Sequence, residues 1–166
     1  MQPFYLVSHQ LRKTINMKSL FFCSILLITF ASCKKVVCDE GLYSREEISQ
    51  SALYGAGDEN IDESNLVIKT QNDWDDLILK MDAVNDESSN FATIDIDFST
   101  HMVIACFDEA QSTGGHSLEI GTVQHDGSQL SVQVIKTSGE GLVTQVITQP
   151  YEIIVIDRCD DNVVFN

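Results

Sequence analysis

Met102-Val103-Ile104-Ala105-Cys106-Phe107 is apolar at every position. Successive side chains of an extended strand point to opposite faces, so a run without a polar member must be dry on both sides. Such a strand belongs in the middle of a sheet. Ile153-Ile154-Val155-Ile156 reads the same way. Leu130, Val132 and Val134, by contrast, alternate with Ser131 and Gln133, which is the period-two signature of a strand with one wet face.

Outward from these runs, short extended segments recur at 46–54, 66–69, 93–96, 117–123, 129–136, 141–148 and 151–156. Turn-forming residues separate them, which predicts an antiparallel meander of about six to seven strands. Gly55-Ala56-Gly57-Asp58 closes the first. His125-Asp126-Gly127-Ser128 marks a hairpin, because Asp-Gly supplies the positive φ angles of tight turns. Over 71–84 the period changes: Trp74, Leu77, Ile78 and Met81 recur at i, i+3, i+4 and i+7, the spacing of one helix face. Thr70 stands at the N-cap with Asp73 three residues on. This stripe could be read as an aromatic binding face, but its spacing is what a helix needs to pack on a sheet. The fold class expected is α+β, mainly antiparallel β with one packed amphipathic helix.

Ahead of this domain, Lys18 precedes the apolar run Leu20-Phe21-Phe22-Cys23-Ser24-Ile25-Leu26-Leu27-Ile28-Thr29-Phe30. The run falls well short of the roughly 18 apolar residues of a membrane-spanning helix and has the layout of a signal peptide. Phe30-Ala31-Ser32-Cys33 follows and resembles a lipobox. The expectation is a lipoprotein signal over 1–32, with Met17 as the better start, acylation at Cys33, a lipid-anchored tether over 33–45 and one domain over 46–166. An ordinary signal peptide with an incidental cysteine is the alternative.

All 25 acidic residues lie after Cys33, against seven of the 10 basic ones. A mature chain near −18 repels phosphate backbones and anionic lipid headgroups, so nucleic acid is excluded as a partner. Of the mature cysteines, Cys33 is assigned to lipid and Cys106 sits in an apolar run where a thiol behaves as a small hydrophobe. Cys38 and Cys159 are left as a candidate disulfide in an oxidising compartment. A metal pair is the alternative, which needs further ligands at suitable spacing; none is visible in the sequence. Asp58, Asn60 and Asp62 occupy alternate positions, yet an EF-hand would need Gly at 63 and Glu at 69. Glu63 and Lys69 stand there, and no metal or other cofactor is assigned.

Four segments fall in a distinctive order: Asp97-Phe98-Ser99, the 102–107 run, Ser112-Thr113-Gly114-Gly115-His116-Ser117-Leu118-Glu119-Ile120 and Thr148-Gln149-Pro150-Tyr151. Together they resemble the C-terminal domain of the PrcB family, named after a lipoprotein subunit of a spirochaete protease complex. The resemblance covers roughly 46–158. Where that family carries an aromatic after the two glycines, this chain has His116, and Asp108-Glu109-Ala110-Gln111 lacks the usual glycine. The resemblance implies an extracytoplasmic protein that supports or associates with other envelope proteins, proteases among them, and does not imply an enzyme. Thr113-Gly114-Gly115-His116, Gly139-Glu140-Gly141 and Pro150-Tyr151 are also similar in order to the three inhibitory loops of chagasin-like cysteine protease inhibitors, though Gln149 replaces an arginine of that family.

No HExxH helix, phosphate-cradling glycine loop or nucleophile elbow occurs in the sequence. Ser117 follows His116, but adjacent strand residues diverge, which argues against a catalytic pair. The reading is therefore a non-enzymatic lipoprotein of the bacterial envelope, in the outer membrane. Its expected contact surface is Thr113, Gly114, Gly115, His116, Gly139, Gly141, Pro150 and Tyr151, and its expected partner is an envelope protein, proteases included. A chagasin-like inhibitor and a small-ligand-binding lipoprotein are the alternatives; oligomeric state is left open.

Overall fold

Strands β1 (Gly41–Leu42), β2 (Arg45–Leu53) and β3 (Ser64–Ile68) precede helix α1 (Gln71–Met81). Strands β4 (His101–Phe107), β5 (Ser117–His125), β6 (Gln129–Thr137), β7 (Gln149–Asp157) and β8 (Asn162–Phe165) follow. The structure is a computed structural model that describes residues 35–139 and 144–166. The 1–32 signal, Cys33 and Gly141 lie outside the described residues.

The two all-apolar runs are indeed central. One sheet has the order β2-β7-β4-β3 and the other β1-β5-β6-β8. Among the described residues every strand pairing is antiparallel except β6 with β8, which is parallel. Val103, Ala105 and Phe107 of β4 and Tyr151, Ile153 and Val155 of β7 pack on Trp74, Leu77 and Met81 of α1. The opposite face, with Met102, Ile104, Cys106, Ile154 and Ile156, packs on Leu118, Ile120, Val123, Leu130 and Val132 of the second sheet. The layers are thus helix, sheet and sheet. Each large apolar side chain so buried contributes about 1.5–3 kcal/mol.

This arrangement replaces the meander. Among described residues only β3–β4 and β5–β6 are consecutive strands paired in one sheet. β4 already has β3 and β7 on its two sides, so the chain leaving it crosses to build the second sheet, where the one wet face of β5 and β6 is admissible. The strand expected over 93–96 does not form. Instead Ile94 O accepts from the Trp74 indole at 3.0 Å, Ala92 N donates to Ile48 O at 2.9 Å, and Phe91, Ile96 and Phe98 cover the helix-side core. Residues 144–147 likewise form no strand. α1 starts as expected, Thr70 Oγ1 accepting from Asp73 N at 3.2 Å, but stops at Met81 rather than Val84. Asp82 there turns its carboxylate to Ser88, accepting from its N at 2.9 Å and its Oγ at 2.7 Å.

The segment read as a tether is built into the domain, whose compact unit begins at Lys35 rather than at 46. β1 pairs with β5, and Cys38 is disulfide-bonded to Cys159 across a sequence separation of 121. Cys106 is buried and unbridged, its thiol pushed up to about 12 by that burial.

One carboxylate stands in the inter-sheet layer. Glu152 of β7 is 2% exposed; its Oε2 accepts from Ile120 N, and Arg45 Nη1 lies 3.7 Å from Oε1. β5 shifts register between Ile120 and Val123, a bulge that leaves a ladder donor without a strand partner. Glu152 supplies the acceptor. Burial raises its pKa above the ordinary range, against the lowering effects of Ile120 N–H and Arg45.

Two outcomes follow from the packing. Loss of the long-range crosslink in Cys38→Ser/Cys159→Ser should lower unfolding free energy by about 4–5 kcal/mol in the chain-entropy account, read by urea titration. For Glu152 the folded state holds the proton more tightly, so ionisation destabilises the fold as pH rises from the unfolded pKa through the folded one. Glu152→Gln mimics the protonated form. Its melting temperature should match the parent at acid pH below the ordinary carboxylate range and exceed it once pH has passed the raised pKa.

Candidate functional site

The carboxyl end of β4 opens into residues 108–116, and residues 138–139 and 144–148 lie between β6 and β7. Both segments meet at one end of the sandwich. Asp108 N donates to Pro150 O at 2.9 Å, while the Asp108 carboxylate takes Lys136 Nζ at 2.5 Å. Hydrogen bonding to Asp108 and then Glu63 raises the Lys136 pKa. Gln111 and Thr148 form an isolated antiparallel bridge, with N–H to O distances of 2.7 and 3.0 Å.

The Thr-Gly-Gly-His turn is fastened to the second segment at three points. Thr148 Oγ1 donates to Thr113 O at 3.2 Å, and Gly114 N donates to Thr144 O at 2.9 Å. A Cβ on Gly139 would stand only 2.9 Å from Gly115 O and 3.0 Å from Gly115 C. Gly115 itself adopts φ +83°, a left-handed conformation that favours glycine. Within the turn, Thr113 Oγ1 and His116 Nε2 are 3.2 Å apart.

Thr113, Gly114, Gly115, His116 and Gly139 are therefore brought together. Pro150 and Tyr151 are not part of that surface. Both are buried within β7, so the chagasin-like order lacks its third loop. Tyr151 is 1% exposed in the helix-side core, its ring centroid 5.8 Å from that of Phe107. Its hydroxyl lies 3.1 Å from Ser49 Oγ and donates to Glu87 Oε2 at 3.4 Å. Burial pushes the phenol up to about 12. Proline reads as a turn residue, yet it stands second in its strand, just beyond the β4 ladder, whose last rung is Phe107 with Tyr151.

Other residues take up the role that sequence reading gave to this pair. Gln149 is 3% exposed, and its amide nitrogen donates to Ile61 O at 2.8 Å and Asp108 O at 2.9 Å. One side chain thus ties the 54–63 loop to the 108–116 loop. Beside them, Val146 and Ile147 are exposed at 46% and 45%. No local signal distinguishes these two from strand residues; only their release from the sheet makes them surface.

In the 58–62 segment the inward-facing carboxylate is Glu59, whose Oε1 accepts from Gly55 N at 2.8 Å, rather than any of the alternate Asp58, Asn60 and Asp62. At the opposite end of the inter-sheet core, Cys38, His125, Cys159 and Asp161 place one ligand-type atom each within 4.8 Å of one another. The sequence offered the two cysteines no companion ligands; the fold supplies His125 and Asp161.

Residues 102–157 match the family model described as PrcB C-terminal. No curated protein and no solved structure matches the chain. The matched stretch runs from β4 to β7 and includes the Thr-Gly-Gly-His turn.

Gly139→Val should show how tightly the two segments are braced. Its side chain must displace Gly115 backbone, and overpacking of this kind costs about 1–3 kcal/mol. A lower denaturation midpoint is expected, whereas Ser138→Ala beside it should leave the midpoint unchanged.

Proposed function

From the match of residues 102–157 to the family model described as PrcB C-terminal, we propose that the chain is a non-enzymatic, lipid-anchored protein of the bacterial envelope. It presents the 112–117 turn with residues 138–139 and 144–148 to another envelope protein. The observation that carries this reading is the bracing of Thr113, Gly114 and Gly115 against Thr144, Thr148 and Gly139, beside the exposed Val146 and Ile147. A loop already fixed by internal hydrogen bonds has little conformational entropy to lose on association. Adjacent apolar side chains with a polar border are the usual anatomy of a contact patch.

Several features support the envelope location. The apolar run 20–30 followed by Ala31-Ser32-Cys33 has the form of an acylation signal. A bridged Cys38–Cys159 suits an oxidising compartment. The formal net charge of −15 is suited to a protein partner and not to a polyanion.

The test is co-purification from detergent-solubilised native envelope with the full chain as bait, alongside a His116→Ala/Val146→Ser/Ile147→Ser chain of unchanged circular dichroism. The parent should retain an envelope protein that the variant loses. Equal retention by both baits would remove this surface from consideration. In the same cells, Cys33→Ala should move the protein out of the membrane fraction and abolish incorporation of labelled fatty acid.

A further inference from the structure

Away from the loop surface and independently of its reading, we infer that the Cys38–Cys159 bridge, once reduced, opens into a site for a borderline-soft divalent cation, zinc by chemistry, held by both thiolates, the His125 imidazole and the Asp161 carboxylate. The four ligand atoms lie within 4.8 Å of one another. A tetrahedral zinc with bonds of about 2.0–2.3 Å needs ligand separations near 3.3–3.8 Å, so small side-chain movements gather the set around one ion. Two thiolates, one imidazole and one carboxylate form a donor set that favours zinc over hard cations such as calcium or magnesium.

The surroundings already position these groups. His125 is 3% exposed, and its Nε2 lies 3.1 Å from Asp161 Oδ2. The other Asp161 oxygen receives Lys35 Nζ at 2.6 Å. Two thiolates and a carboxylate around a dication leave one negative charge, and Lys35 stands where it balances that charge. His125 Nδ1 accepts from Gly127 N at 3.1 Å. Metal at Nε2 moves the ring proton to Nδ1, so this bond is given up, and water at the exposed Gly127 replaces it. With Cys159 fully buried and Cys38 packed on the same core, the site is closed, as structural zinc sites are.

The exchange balances with a dithiol as reductant. Its two sulfurs become a disulfide, the Cys38–Cys159 bond takes up the two electrons, and two protons are released as both thiolates bind the dication. Disulfide and metal thus exclude one another, because only breaking the S–S bond turns the two sulfurs into the thiolates that hold the cation.

Cobalt(II) is the probe, titrated into the full chain carrying Cys23→Ser and Cys33→Ser, either oxidised or reduced with a phosphine. The reduced chain should bind one cobalt with thiolate charge-transfer and tetrahedral ligand-field bands that zinc bleaches, while the oxidised chain stays colourless. Cys159→Ser should abolish the bands, His125→Ala and Asp161→Ala should each weaken binding at least tenfold, and Cys106→Ser should change nothing. A colourless reduced chain, bands that survive Cys159→Ser, or His125→Ala and Asp161→Ala chains that bind like the parent would overturn the assignment. Should reduction unfold the chain, recovery of its sheet circular dichroism on adding zinc supports the site and failure to recover refutes it.

Discussion

β4 and β7 lie side by side with Ile104 opposite Ile154 and Val103 opposite Val155, so neighbouring residues on both strands are apolar and each strand needs cover on both faces. That constraint generates the architecture. One face takes α1, the other takes β5 and β6, and the remaining elements seal the edges of the resulting three layers. Had either run alternated with polar residues, a single sheet with one helix would have sufficed and β5 would have had no apolar surface to meet.

A dry central pair also determines where polar groups can stand. Glu152 is tolerated between the sheets because β5 bulges opposite it and offers Ile120 N–H. Gln149 is tolerated at the strand entry because two loop carbonyls accept from its amide. Each buried polar side chain therefore fixes a register: Glu152 sets how β5 lies over β7, and Gln149 sets how the loops lie over the end of β4. An apolar residue at either place would permit sliding that these directional bonds forbid.

The parts of the fold that were legible in the sequence are those decided by neighbours in the chain. Thr70 and Asp73 marked the helix start, Asp126-Gly127 marked the β5–β6 hairpin, and the lack of any polar residue in 102–107 placed β4 at the centre. The partition into two sheets was not legible, since it depends on which strands must be dry on both faces once the others are present. β8 was missed because four residues after Cys159-Asp160-Asp161 carry too little periodicity, and its parallel pairing with β6 is a purely tertiary choice. In the candidate site, Thr-Gly-Gly was readable as a turn from glycine chemistry alone. Pro150-Tyr151 was misread because a proline at the start of a strand and a proline in a turn look alike locally, and only the packing of Tyr151 on Phe107 separates them. His125 and Asp161 lie 36 positions apart, with no spacing rule linking them to either cysteine.

The bridge between Cys38 and Cys159 also sets how the domain bears mechanical load. β2 is an edge strand whose first residue, Arg45, pairs with Ile156 near the end of β7. Tension arriving from the N-terminal side would, without the crosslink, fall first on the two-residue β1–β5 pairing and then on Arg45 at the start of β2. With the crosslink, that tension leaves the chain at Cys38, passes over β1 and β2 and enters just beyond β7, the strand gripped by neighbours on both sides. Load from the N-terminal side therefore reaches the sheet at β7, an interior strand with β2 on one side and β4 on the other, and the edge strand β2 is spared it.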